Sequence, residues 1–270
     1  MMRIVAAVLI AMCTLTARPA DAQVKPQAAK PKAAAGDPLT LHLRGKTITV
    51  HVYRPSGSAK GTVIMASGDV GWVGTGVSLA KLLSTEGFIV IGVNVRQYLA
   101  RFTTKTSHLL VTDPPSDYRE MSTLLQHHGL LVQPVVLSGV SEGAALAVLA
   151  ASAPENHEWV RGVITLGLPP TAELAWKWRD FTSWITKADA KEPSFAPKDF
   201  IASVSPVPLV MIQSTKDEYV PEAEYRLLEQ TARNPKKLVL IDARNHRFGG
   251  RRPELHRAVF DALEWIRQPK

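Results

Sequence analysis

Residues 134–151 read Pro134-Val135-Val136-Leu137-Ser138-Gly139-Val140-Ser141-Glu142-Gly143-Ala144-Ala145-Leu146-Ala147-Val148-Leu149-Ala150-Ala151. Pro134 to Leu137 is a short apolar run of strand type, and Glu142 to Ala151 is an Ala-rich run of helix type. Between them stands a Gly-x-Ser-x-Gly turn, Gly139 to Gly143. A turn this tight strains its central serine, so the residues two before and two after must be small. Ala144 and Ala145 keep the start of the helix slim as well. The turn lifts the Ser141 hydroxyl above the carboxyl edge of a sheet, at a helix N-terminus that favours developing negative charge. Ser141 is therefore the candidate nucleophile. The plainer alternative is a strand–helix turn that happens to contain serine.

Outward from this turn the chain alternates short apolar runs with longer amphipathic ones. Leu41–Leu43 and Thr47–Tyr53 read as an opening pair of strands, and Thr62–Ala66, Phe88–Val95, Val160–Leu166, Val207–Gln213 and Lys237–Ile241 as further strands. Helices are expected over Gly76–Glu86, Ser116–His128 (with Asp113 and Ser116 as caps), Glu222–Ala232 and Pro253–Ile266. Continuous apolar strands alternating with helices indicate an α/β fold, a mostly parallel central sheet flanked by helices. Pro169–Pro206 interrupts the rhythm with Trp176, Trp178, Phe181, Trp184, Phe195 and Phe200 among charges and prolines. It is too long for a plain connection and too aromatic for a linker, so it reads as an aromatic-rich lid insertion at 169–206.

A serine hydroxyl needs a base to take its proton, and in such folds the acid and then the histidine follow the serine. Asp217 lies just after the strand Val207–Gln213, and His246 just after Lys237–Ile241. Both stand at carboxyl ends of strands, where catalytic residues of open α/β sheets collect. Glu218 is an alternative acid, and Asp242 could cap its loop instead. The oxyanion hole needs two N–H donors: that of Glu142, after the nucleophile, and one from Ser67-Gly68-Asp69-Val70-Gly71-Trp72, for which Asp69 is the candidate. A glycine turn without a catalytic part is the alternative for that loop. The remaining histidines (His42, His51, His108, His127, His128, His157, His256) show no ligand spacing, so neither a metal nor another cofactor is expected.

The chain has 270 residues, 46% apolar and 21% charged, which excludes wholesale disorder, collagen and coiled coil. Its one cysteine, Cys13, excludes a disulfide framework. Met1-Met2-Arg3, the apolar run Ile4–Leu15 and Ala20-Asp21-Ala22 have the pattern of a secretory signal peptide over 1–22, an uncleaved anchor being the alternative. Later segments fall short of the ~18 apolar residues of a spanning helix, so the mature chain is expected to have no transmembrane span. Gln23–Pro38 is rich in Ala, Pro and Lys and reads as a flexible tether, leaving 39–270 as the folded domain. The net charge of +8 is a mild excess spread along the chain. It suits loose attraction to an anionic membrane surface, and without a basic stripe interleaved with aromatics it does not suit nucleic acid.

The loop Ser67-Gly68-Asp69-Val70-Gly71-Trp72 resembles the Ser-Gly-Asp-Gly-Gly-Trp signature of the bacterial VirJ/AcvB virulence-protein family, with Val70 in place of a glycine. Gly92-Val93-Asn94-Val95-Arg96-Gln97-Tyr98 is similar to that family's strand-plus-Arg-x-Tyr segment, and Ser116-Asp117-Tyr118 and the turn at Ser141 follow in its order. At that turn the family reads Gly-Tyr-Ser-Phe-Gly-Ala-Asp, a departure from Gly139–Ala145 here. The resemblance implies an α/β-hydrolase fold, export to the periplasm, and hydrolysis of the aminoacyl ester of lysyl-phosphatidylglycerol at a membrane surface. It implies substrate contacts at Asp69, Trp72, Arg96 and Tyr98, with Arg96 toward phosphate and Asp69 toward the lysyl amine. The residues by themselves also suit a generic small-ester hydrolase, a peptidase, or a non-catalytic envelope or secretion accessory protein on a hydrolase fold.

Overall fold

The structure, a computed structural model, describes residues 36–176 and 193–268. The signal, most of the tether, and Trp178, Phe181 and Trp184 lie outside the described residues. β1 (Asp37–Leu43) and β2 (Lys46–Tyr53) form an antiparallel hairpin. The parallel strands are β3 (Thr62–Ala66), β4 (Ile89–Val93), β5 (Val135–Val140), β6 (Val160–Leu166), β9 (Leu209–Ser214) and β10 (Lys236–Ile241). A separate antiparallel pair joins β7 (Ala172–Glu173) to β8 (Ser194–Phe195). The large sheet has eight strands in the order β1-β2-β4-β3-β5-β6-β9-β10, with β2 antiparallel to β4.

Both faces of the sheet are covered, which is why its central strands are continuously apolar. Successive side chains of β3 serve opposite layers. Ile64 and Ala66 pack with α2 (Val95–Phe102), α3 (Asp113–His127), α4 (Glu142–Ala151) and Leu228 of α5 (Glu222–Thr231), while Val63 and Met65 pack with α1 (Thr75–Thr85) and α6 (Arg252–Arg267). α4 is buried almost all round, and its alanines let it lie close against the sheet. No described helix is long and apolar enough to cross a membrane.

Four local expectations are corrected. The strand expected over Phe88–Val95 ends at Val93, because Asn94 accepts the Gln97 N–H through its side chain (3.2 Å) and starts α2. α3 begins at Asp113, since Pro114 and Pro115 fit its first turn, where no N–H is needed. Asp113 and Ser116 are not its caps: Asp113 accepts the Leu110 N–H (2.7 Å), and the Ser116 hydroxyl donates to the Thr112 carbonyl (3.1 Å). Within 169–206, Phe195 and Phe200 meet edge to face at 5.9 Å and pack on the core beside α4, so these two aromatics do not form a lid surface.

Candidate active site

The carboxyl ends of the parallel strands share one edge of the sheet. From β3 the chain moves outward to β4 and then returns to the other side of β3 as β5, so the crevice of the topological reversal opens between the ends of β3 and β5. Ser141 follows β5 there, with φ 54° and ψ −120°. That left-handed backbone is held by close packing. A Cβ on Gly139 would lie 2.1 Å from the Gly143 carbonyl carbon, and one on Gly143 would lie 2.4 Å from the Ala66 carbonyl oxygen. Only glycine allows this approach at either position.

Asp217 and His246 meet at 2.7 Å, carboxylate Oδ2 to imidazole Nδ1. The Asp217 side chain is fully buried. Its Oδ2 also accepts from Gln213 Nε2 (2.7 Å), and its Oδ1 accepts from the N–H groups of Tyr219 (2.9 Å) and Val220 (3.0 Å). These donors fix the carboxyl group, and it in turn fixes the imidazole with Nε2 away from the acid. Glu218 faces elsewhere and accepts the backbone N–H of His246 (2.8 Å). Asp242 holds Lys216 (2.8 Å) and Thr215 (3.2 Å). Tyr219 packs edge-on against the His246 ring at 5.4 Å. Beneath the ring lies Gly167, with φ 62°; a Cβ there would stand 2.7 Å from His246 Cε1. In the sequence Gly167 is one glycine after one strand, with no local signal of this role.

Ser141, His246, Asp69 and Glu142 line a single cleft of about 400 Å3. The loop from Ser67 to Asp69 lies against the serine: a Cβ on Gly68 would be 3.5 Å from Ser141 Cβ. Ser67 anchors that loop, donating its N–H to Val93 (2.9 Å) and accepting the Val95 N–H through its hydroxyl (3.1 Å). The N–H of Glu142 opens α4 and has no acceptor one helical turn back. The Glu142 carboxyl accepts the Glu173 N–H at 3.0 Å. Burial pushes this carboxyl up to about 8; the Glu173 N–H opposes the rise, and the nearby Glu173 and Asp69 carboxylates add to it.

The other sequence candidates lie elsewhere. Trp72 is buried, donates its indole N–H to Tyr53 (3.1 Å), stacks on His51 (5.8 Å) and covers Gly92, where a Cβ would be 2.1 Å from its ring. Trp72 and Arg96 border a neighbouring hollow of about 700 Å3 that meets the serine cleft along Val70, Gly71 and Val73. The Arg96 guanidinium sits over the Trp176 ring, 5.1 Å from its centre. Tyr98 is not a surface contact: it is 1% exposed and its hydroxyl donates to Asp117 at 2.6 Å. It secures α2 and is removed from the substrate contacts. Among the described residues, no group of His, Cys, Asp and Glu has metal-binding geometry.

Residues 61–264 match the family model of the bacterial virulence protein VirJ. The chain belongs to the VirJ family. The uncharacterised YfhR protein of Escherichia coli K12 is 28% identical over 200 residues, 71% of this chain. The chain spans 65% of the length of that curated relative. Among solved structures, the esterase domain of a Rhodothermus marinus protein superposes with a TM-score of 0.60 at 18% identity, covering 86% of this chain and 98% of that one. Dienelactone hydrolase from Anabaena variabilis superposes with a TM-score of 0.60 at 17% identity, covering 88% and 100%. This VirJ-family chain has the α/β-hydrolase fold.

Proposed function

We propose that the protein is an exported serine hydrolase that cleaves esters with Ser141 as nucleophile, His246 as base and Asp217 as its orienting acid. The observation that carries this reading is the 2.7 Å Asp217–His246 bond in the wall of the cleft that holds Ser141 at φ 54°. Two structural relatives are named for ester cleavage, an esterase domain and a dienelactone hydrolase, which supports the same chemistry. In the reaction His246 Nε2 takes the Ser141 proton as Oγ attacks the acyl carbon. The N–H groups of Glu142 and Asp69 receive the oxyanion, and His246 returns its proton to the departing alkoxide. Water, activated by the same imidazole, then releases the acid.

The substrate class we infer is an aminoacyl ester, lysyl-phosphatidylglycerol being the one that the family resemblance implies. Asp69, exposed on the rim of the serine cleft, suits an ammonium group. Export places the enzyme at the outer face of the inner membrane, with Gln23 as the expected mature N-terminus, read by N-terminal sequencing of protein from an exporting host. A fluorophosphonate is expected to label Ser141. Ser141→Ala is expected to abolish labelling and to lower kcat by roughly 10⁴ on a p-nitrophenyl ester, because such residues act as a unit. Labelling that persists in the alanine variant rejects the mechanism. Asp69→Asn is expected to raise KM for lysyl-phosphatidylglycerol several-fold more than for a neutral short-chain ester. Failure of active enzyme to release lysine from the lipid rejects the lipid and leaves a small-ester hydrolase.

A further inference from the structure

Two arginines at the serine cleft have no place in the mechanism above. Arg247 directly follows His246, and Arg252 is the first residue of α6; both line the cleft with Ser141 and His246. Neither guanidinium has a hydrogen bond or an ion pair among the described residues. Several arginines away from the cleft are paired: Arg44 with Asp117, Arg119 with Glu158, Arg226 with Glu222, Arg267 with Glu264. Even Arg251, next in chain to Arg252, holds Glu254 at 3.3 Å and the Asp242 carbonyl at 3.0 Å.

Arg252 is also placed against the local field. The N-terminus of a 16-residue helix carries partial positive charge, and a cation there is unfavourable unless an anion joins it; the one acidic residue of that first turn, Glu254, is held by Arg251. Among the described residues the cleft holds one rim carboxylate, Asp69, beside Glu142, whose buried carboxyl is pushed up to about 8 and is mostly neutral at pH 7. Two arginines and one exposed carboxylate therefore line the described part of the cleft that holds the nucleophile.

The chemistry says where an anion would sit along the substrate. His246 Nδ1 is taken by Asp217, so Nε2 delivers the proton to the leaving alkoxide. Arg247 follows that histidine in the chain and lines the same cleft. Two planar forks offer more N–H groups than one carboxylate can accept, whereas a phosphate has oxygens for both. We propose that Arg247 and Arg252 form a phosphate-binding subsite for the alcohol half of the ester, which rests on Ser141 being the nucleophile. The hollow around Arg96 is then a different site from the one that receives the leaving group's phosphate. The phosphate belongs either to a soluble phosphoester or to a lipid headgroup.

The test separates the subsite from the reaction. In a Ser141→Ala chain, which binds without turnover, sn-glycerol 3-phosphate is titrated calorimetrically, and vesicles of phosphatidylglycerol or phosphatidylcholine are tested by sedimentation. Adding Arg247→Ala and Arg252→Ala is expected to weaken binding of at least one phosphate-bearing probe tenfold or more. Loss confined to glycerol phosphate assigns a soluble source; loss confined to phosphatidylglycerol vesicles assigns a headgroup. In the chain with Ser141 intact, the same pair should lower the ratio of kcat/KM for acetyl-glycerol 3-phosphate over p-nitrophenyl acetate at least tenfold. Replacement of both arginines by lysine should restore part of that ratio. Unaltered binding of every probe, with an unaltered ratio, overturns the subsite even if Ser141 is labelled. Labelling that persists in Ser141→Ala overturns the nucleophile, while the binding arm still reads the arginines.

Discussion

Gly167 follows β6 with φ 62°, and the side chain it lacks leaves the space in which the His246 ring lies. Gly167→Ala would put a Cβ 2.7 Å from His246 Cε1 and add a left-handed strain of about 1–2 kcal/mol. Displacement of the imidazole is expected to lower kcat about 10- to 100-fold while the thermal midpoint falls by only a few degrees, read from steady-state kinetics beside a melting curve. Glu142 allows a pH test. Its carboxyl is protonated in the folded chain up to about pH 8 but ionises near its ordinary value when unfolded. Between those values the folded state binds more protons, so stability falls as pH rises, by up to about 1.4 kcal/mol per unit. Glu142→Gln keeps an acceptor for the Glu173 N–H and cannot ionise. Urea unfolding at pH 5.5 and 7.5 should show a decline in the parent chain that is smaller in Glu142→Gln; equal slopes would show that Glu142 titrates normally.

At the scale of elements, three pieces of chain are clamped by one buried carboxylate. Asp117 on α3 accepts Arg44 Nε (2.6 Å) and Nη2 (2.8 Å) from the β1–β2 turn and the Tyr98 hydroxyl (2.6 Å) from α2. Burial raises the Asp117 pKa, and the bonds from Arg44 and Tyr98 oppose that rise. Arg44 also lies 4.0 Å over the Phe102 ring at the end of α2. Removing the arginine leaves an uncompensated carboxylate, so Arg44→Ala is expected to cost about 3–5 kcal/mol. Tyr98→Phe loses one bond to a charged group and should cost about 1.5–3 kcal/mol. Denaturant unfolding of both variants checks the order; a tyrosine variant as stable as its parent would remove Tyr98 from the clamp. The clamp explains what was hard to read from the chain. Tyr98 stands two residues from Arg96 on one short helix, and the family resemblance implied substrate contacts at both. Half a turn of helix sends their side chains to different environments, and the Asn94 cap that creates α2 was hidden within an apolar run.

At the scale of the whole molecule, one eight-stranded sheet carries a core layer on each face among the described residues. Because 1–22 reads as a signal peptide and 23–38 as a tether, a chain begun at Gly36 is expected to match the longer one in melting temperature and p-nitrophenyl ester turnover; a lower melting temperature would place stabilising contacts before Gly36. The strands around the serine were legible because apolar runs and glycine turns are local signals that one stretch of chain carries alone. The amino-acid sequence by itself determined the α/β class, the strand Thr62–Ala66, the helix Glu142–Ala151 and the sharp turn at Ser141 between strand and helix. Tertiary structure alone decided that Asp217 rather than Glu218 reaches His246 Nδ1, that Gly167 lies under the imidazole, and that Arg96 and Arg247 border different hollows. Those outcomes depend on which strands become neighbours, and strand order is settled by packing both faces of the sheet at once, over separations that no local pattern in the chain records.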